Sequence, residues 1–267
     1  RALVAVLTTH QAGAKMDDLI EAFRVALAYD SLGTTEVREQ IASIALNIGS
    51  VERFNNDEKK KFIEFAVEEL RKEISNSTPD VKHMLFLGAV FSRNVSMNPA
   101  WASEAERVLG EAVRMSPGKQ QIAFELAQFY AFIGNNQKSA DVLRTAWRVE
   151  KTNVEASVLY WRMALYTKNQ EMLTEVAGQT DILKLSGQNL LVLAEGYRAN
   201  KDYKMAALFY ERLVATQPYN PTYRATYAAL LADEGRKEEA RDQALEAAKL
   251  DPSFKPEADA FIKYLGF

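Results

Sequence analysis

The sequence predicts an all-α chain, an α-α superhelix in which antiparallel helix pairs stack as a solenoid of about fifteen helices. Three observations predict it. Two apolar stretches, "YERLVATQPYN" (residues 210–220) and "LEAAKLDPSFK" (residues 245–255), each close on a polar residue and proline, Gln217-Pro218 and Asp251-Pro252, 34 residues apart. Within such stretches the large apolar residues recur three and four apart, which places them on one stripe of a helix. Glycine (12) and proline (7) are both below their usual share, which favours long elements and tight connections.

The elements follow in order. "LIEAFRVALAYD" (19–30) places Phe23 and Ala26 where the second helix of a pair needs them. "TTEVREQIASIALNI" (34–48) reads as a threonine-capped helix with Val37, Ile41, Ile44 and Ile48 on one face. "DEKKKFIEFAVEELRKEI" (57–74) is a long amphipathic helix, acidic at its start and basic near its end, as the helix dipole favours. A hairpin follows, with Met84, Leu87, Gly88 and Phe91 on its first helix and Ala105, Leu109 and Ala112 on its second; a five-residue insertion around Asn94–Pro99 separates them. Residues 120–152 hold another pair, with Leu126, Ala127 and Tyr130 before Gly134 and with Ser139, Leu143 and Ala146 after it.

Between 153 and 187 the pattern degrades: Leu159 and Met163 keep the first helix, but the second, near Glu171–Ala177, is short. At 34 residues the last two pairs superpose, Leu193 on Tyr227, Ala194 on Ala228, Asp202 on Arg236 and Ala206 on Ala240. Alanine or glycine at one point of each helix admits close approach, and Gly134 and Gly235 stand where the chain reverses with φ > 0. Asp251-Pro252 supplies a cap oxygen and a preset φ for a final helix bearing Phe254, Ala258, Phe261, Ile262 and Leu265 on one face. The whole reads as one helical-repeat domain, 1–267: divergent helices in 1–79, repeats in 80–252 and a capping helix in 253–267. No pair buries its own stripe, so neighbours must stack.

These residues carry a resemblance to the tetratricopeptide repeat (TPR) family. Residues 221–252 match at Gly235, Ala240, Ala247, Asp251 and Pro252, and depart at Arg224, where an aromatic is usual. Residues 187–218 match at Leu193, Ala194, Tyr197, Tyr203, Ala206 and Tyr210, and depart at the turn, which reads Asn200-Lys201, and at Leu213. A narrower resemblance lies in Arg1-Ala2-Leu3 and residues 21–42 (Phe23, Ala26-Leu27, Tyr29, Ser31, Gly33, Glu36 and Arg38-Glu39-Gln40). This stretch is similar to the soluble region after the membrane helices of bacterial O-antigen ligase/polymerase-family proteins with C-terminal TPRs. That resemblance implies a membrane-tethered domain on the extracytoplasmic, periplasmic side of a larger glycan ligase or polymerase. The first residue, Arg1, is consistent with a piece of a longer polypeptide. The family's catalytic residues map nowhere on this chain.

Composition narrows the function classes. The net charge is −3 and the pI near 5.7, which gives no electrostatic reason to expect nucleic acid. The chain has no cysteine, which excludes disulfides and thiol chemistry. No apolar run reaches the ~18–20 residues of a membrane helix. His10 and His83 lack ligand spacing, and no phosphate loop or nucleophile elbow is present. Glu68-Glu69 and Glu238-Glu239 read as solvated faces among basic residues, and Lys59-Lys60-Lys61 as a solvated face that anionic lipid would attract. The chain is therefore expected to be a non-catalytic interaction scaffold, with no cofactor and no metal.

In the TPR family the first helix of each pair lines the inner groove. The resemblance places Arg93, Gln128, Phe132, Trp161, Glu195, Arg198 and Asp233 there, facing a protein or peptide partner, with Trp161 and Arg198 as anchors. The lysine and asparagine clamp with which chaperone-binding relatives hold a carboxylate is absent: those positions read Phe124 and Gln128, then Ser157 and Trp161. One alternative is a carbohydrate-binding module in which Tyr160, Trp161 and Tyr197 stack on sugar faces. Another is a free-standing TPR adaptor.

Overall fold

The computed structural model describes residues 15–28, 33–76 and 81–267; among them are fourteen α-helices and no strand. They fall into two compact units, one ending at Val142 and the other beginning at Leu143.

The first unit contains α1 (Met16–Ala28), α2 (Thr34–Asn47), α3 (Asn56–Asn76), α4 (Val81–Arg93), α5 (Trp101–Met115), α6 (Gln120–Phe132) and the start of α7 (Asn136–Val149). Helix α2 packs on α3 and α4, and α4 packs on α5 and α6, so α2, α4 and α6 are the first helices of successive hairpins. Phe23, Ile41, Phe62, Ile63, Phe91, Leu109 and Phe129 are buried in one continuous core. Close approach of α4 and α5 depends on Gly88, where a Cβ would lie 2.5 Å from the Leu109 side chain. The insertion after α4 is anchored by buried Asn94, whose side-chain amide donates to the Val90 carbonyl at 2.8 Å.

Two local expectations are corrected in this unit. No threonine caps α2: its N-cap is Gly33, without a side-chain cap, and the Thr35 hydroxyl instead donates to Glu73 of α3 at 3.0 Å. Arg38 joins the same cluster, pairing with both Glu69 and Glu73, so this face of α2 is held to α3 by charge-assisted bonds. Helix α3 opens with Asp57 and Glu58, but its last turn holds no basic residue; Arg71 and Lys72 stop short of it. His83 is buried with its ring edge against Phe86, 6.0 Å between centroids, while His10 lies outside the described residues.

The second unit contains the rest of α7, then α8 (Val154–Thr167), α9 (Gln170–Ala177), α10 (Gly187–Ala199), α11 (Tyr203–Thr216), α12 (Pro221–Asp233), α13 (Lys237–Leu250) and α14 (Lys255–Leu265). Helix α8 packs on α9 and α10, α11 packs on α10 and α12, and α13 packs on α12 and α14. Helices α10 and α12 begin 34 residues apart, at 187 and 221. Helix α14 closes the unit as a cap: Ala258 packs with Ala228 and Ala244, and Phe261 and Ile262 pack against them. Asp251 caps the preceding turn, accepting from Ser253 N at 2.9 Å.

One turn recurs at the 34-residue period. The residues that reverse the chain in α6/α7, α8/α9, α10/α11 and α12/α13 are Gly134, Lys168, Lys201 and Gly235, all left-handed, with φ of 80°, 52°, 62° and 79°. Each turn is closed by the same backbone bond, from the next residue's N–H to a carbonyl five residues back: Asn135 to Tyr130, Asn169 to Ala164, Asp202 to Tyr197 and Arg236 to Leu231. This bond satisfies an orphan carbonyl at the end of each first helix. In the first three turns the same residue caps the second helix through its side chain; Asn135, Asn169 and Asp202 accept from Lys138, Met172 and Met205 N–H. Arg236 caps nothing with its side chain.

Candidate functional site: the exposed register of the first helices

The shared turn fixes the rotation of each first helix, so residues at equal distances from the helix start face alike. Seven residues after the starts of α4, α6, α8, α10 and α12 stand Gly88, Ala127, Trp161, Ala194 and Ala228. This is the interior register, and it is small in every hairpin except α8/α9. Trp161 is only 2% exposed. Its indole N–H donates to the Tyr197 hydroxyl at 2.8 Å, and its ring meets Phe209 edge-on at 5.5 Å. The expectation that Trp161 faces a partner is therefore wrong: it is a core residue. The sugar-stacking version falls with it, because Tyr160 and Tyr197 are also buried, Tyr160 beneath Trp147 at 5.2 Å and Tyr197 on Phe209 at 5.6 Å.

One residue further along α8 stands Arg162, exposed and in the register of Gln128 and Glu195. Twelve residues after their helix starts stand Arg93, Phe132, Tyr166 and Asp233. Phe132 is 66% exposed and Tyr166 71%. Neither Arg162 nor Tyr166 figures among the sequence-derived candidates. The spacing alone identifies them, since 34 residues after Gln128 and Phe132 are 162 and 166; choosing the aromatic Trp161 displaced the register by one.

In the first unit this register presents Arg93, Gln128 and Phe132, with Arg93 3.8 Å from the Glu125 carboxylate. In the second it presents Arg162, Tyr166, Glu195, Arg198 and Asp233. Arg198 Nη1 donates to both Glu195 oxygens, at 2.9 and 3.0 Å, and the Tyr210 hydroxyl donates to Glu195 from beneath. Burial first, and then the Glu195 carboxylate, push the Tyr210 phenol up to about 12. Half-buried Leu159, Leu191 and Val192 form an apolar floor beside these charges. Helices α8 and α10 are tightly apposed here. A Cβ on Gly196 would lie 2.8 Å from Leu165, and the Asn200 side-chain amide donates to the Leu165 carbonyl at 2.8 Å.

Other charged groups are engaged structurally. Glu68 and Glu69 both pair with Lys72 at 2.7 Å, and Glu239 pairs with Arg236 at 2.6 Å. Lys59 is buried with its ammonium on the Gly49 carbonyl, and Lys61 pairs with Asp17, so the lysine triplet is not a free basic patch. Glu175 of α9 accepts from Arg144, Arg148 and Tyr160. Burial works to raise its carboxyl, but those three donors outweigh it and hold it below the usual carboxylate range. Among the described residues no group of side chains could hold a metal ion, and no helix is long and apolar enough to cross a membrane.

No protein-family model matches the chain. Among curated proteins it is similar to the TPR repeat-containing thioredoxin TTL4 of Arabidopsis thaliana, 45% identical over 53 residues, which is 20% of this chain and 8% of that protein. Three solved structures are similar at low identity. YrrB, a TPR protein with an unusual peptide-binding site, is 11% identical with a TM-score of 0.49, over 73% of this chain and 99% of that one. A tetratricopeptide repeat protein from Parabacteroides merdae is 12% identical with a TM-score of 0.45, over 99% and 97%. TTC0263 of Thermus thermophilus is 16% identical with a TM-score of 0.41, over 86% and 97%. Successive antiparallel hairpins with a shared left-handed turn and a small interior register define a helical-repeat protein. With a 34-residue period and the Leu-Ala and Tyr-Ala steps of Leu193-Ala194 and Tyr227-Ala228, the repeats are tetratricopeptide repeats.

Proposed function

We propose that this chain is a non-catalytic scaffold that holds a peptide or protein segment against its first helices. The observation that carries the reading is Tyr166 in the second unit, matched by Phe132 in the first. Each is a large aromatic left about two-thirds exposed in a register that packing does not need. Exposed aromatics rimmed by arginine and carboxylate are the composition of binding hot spots. Selecting peptides from a random display library against the whole chain tests it. The selected peptides should lose at least tenfold in affinity with Tyr166→Ala and Arg162→Ala, and nothing with Lys249→Ala on second helix α13. Selected peptides indifferent to Tyr166 and Arg162 would refute it.

We further propose that the scaffold is the extracytoplasmic part of a membrane-bound O-antigen ligase/polymerase-like protein. Its support is the sequence resemblance over residues 21–42. The encoding sequence upstream of Arg1 tests it: multiple membrane spans are required there, and a different domain would end this reading while leaving the scaffold intact.

A further inference from the structure

Two lysines stand where the backbone opposes them. Of the four left-handed turns, two use glycine and two, on adjacent hairpins, use Lys168 and Lys201. The left-handed conformation costs a side-chain-bearing residue about 1–2 kcal/mol, and glycine avoids that penalty. Both lysines are exposed, and neither side chain makes an ion pair or hydrogen bond within the chain. A cation at a helix C-terminus gains about 0.3–1 kcal/mol from the dipole, which offsets only part of that cost. The turn after α12 manages with Gly235 and acidic neighbours, Asp233 and Glu234. Strain held without a packing reason points to a ligand.

The surroundings define that ligand. Lys168 and Lys201 follow α8 and α10, which are direct neighbours, and Arg162 is exposed on α8 without an ion pair. Arg198 nearby is already neutralised by Glu195. We propose that the turn edge of α8 and α10, with Lys168, Lys201 and Arg162, binds an acidic segment of a partner protein. This rests on the scaffold reading and names the chemistry of its partner. A continuous polyanion fits less well, because the chain is net negative and Glu155 and Asp233 are exposed on the flanking turns of the same helices. Half-buried Leu159, Leu191 and Val192 favour a segment that alternates acidic with apolar side chains. Neighbouring helices lie about 8–10 Å apart, which extended chain at about 3.3 Å per residue spans in about three residues.

Fluorescence anisotropy with a fluorescein-labelled peptide of repeated Glu-Ser-Leu units tests this, with a Lys-Ser-Leu peptide and phosphatidylserine vesicles as the other arms. The acidic peptide should bind saturably and weaken with salt, and the other two should not bind. In the double variant Lys168→Gly with Lys201→Gly the affinity should fall at least tenfold while the Tm rises by about 2–4 °C. Affinity retained in that variant, a fall in its Tm, or binding of vesicles in place of the peptide would overturn the inference. If the acidic peptide fails while selected neutral peptides still bind through Tyr166, the inference falls and the scaffold reading stands. If nothing binds the first-helix face, both fall.

Discussion

Hairpins α8/α9 and α12/α13 solve the same problem with opposite materials. In α12/α13 the second helix is 14 residues long, and contact is made through small residues, Ala228 against Ala244. In α8/α9 the second helix is 8 residues long and is followed by an irregular stretch with a 3₁₀ turn at Ile182–Lys184. Large side chains fill the interior there: Trp147 stacks on Tyr160, and Trp161 meets Tyr197 and Phe209. Yet Lys168 and Gly235 close the two turns with the same bond. The repeat is thus a register of positions, and the residue types at those positions are free to change where a neighbour's length changes.

The largest effect should come from breaking the aromatic solution. Trp161→Ala restores the small residue of the other hairpins but leaves a void against Tyr197 and Phe209, and should cost about 3–5 kcal/mol in urea unfolding followed by circular dichroism. Trp161→Phe, which keeps most of the volume and loses the bond to Tyr197, should cost about 1–2 kcal/mol. An alanine variant as stable as the phenylalanine one would mean that the short hairpin never needed the ring.

The electrostatics differ in the same sense. Glu175 of α9 collects three donors at a half-buried site, whereas Glu239 of α13 meets Arg236 in the open. Glu175→Gln should cost about 1–2 kcal/mol at neutral pH, and Glu239→Gln nothing measurable. The folded protein holds the Glu175 carboxyl below its usual range, so its contribution is complete above about pH 4.5 and is lost as the pH falls through the depressed value. Wild type and Glu175→Gln should therefore converge in stability on acidification. At the alkaline end the sign reverses. The Tyr210 phenol is raised to about 12, so its bond to Glu195 contributes below pH ~10 and is lost as the pH climbs toward that value. Urea melts at a series of pH values read both limbs.

Much of this was legible in the residues. Apolar spacing, Gly134, Gly235 and the prolines set the period and the hairpins, because glycine at a left-handed turn and proline after a helix have local causes. The shortness of α9 was legible from the absence of a second stripe. The rotation of α8 was not read correctly, since Trp161 and Arg162 differ by one residue and only a shared turn at Lys168 tells which one faces inward. That turn was hidden because lysine does not announce positive φ. The tie of Thr35 and Arg38 to Glu73 was equally hidden, because it joins helices 35 to 38 residues apart in sequence.

The smallest effect tests that hidden turn directly. A Cβ at Gly235 would meet nothing within 4 Å, so Gly235→Ala changes only conformational preference and should cost about 1 kcal/mol. Lys168→Gly runs the other way. It removes a left-handed penalty of about 1–2 kcal/mol but adds about 0.5–1 kcal/mol of unfolded-chain entropy, for a net gain near 0.5 kcal/mol. Opposite signs at two turns 67 residues apart (168 and 235) would show that they are one structural position occupied by different residues. Equal signs would mean that the left-handed turn is not held in α8/α9, and the alignment of Arg162 and Tyr166 with the rest of the exposed register would go with it.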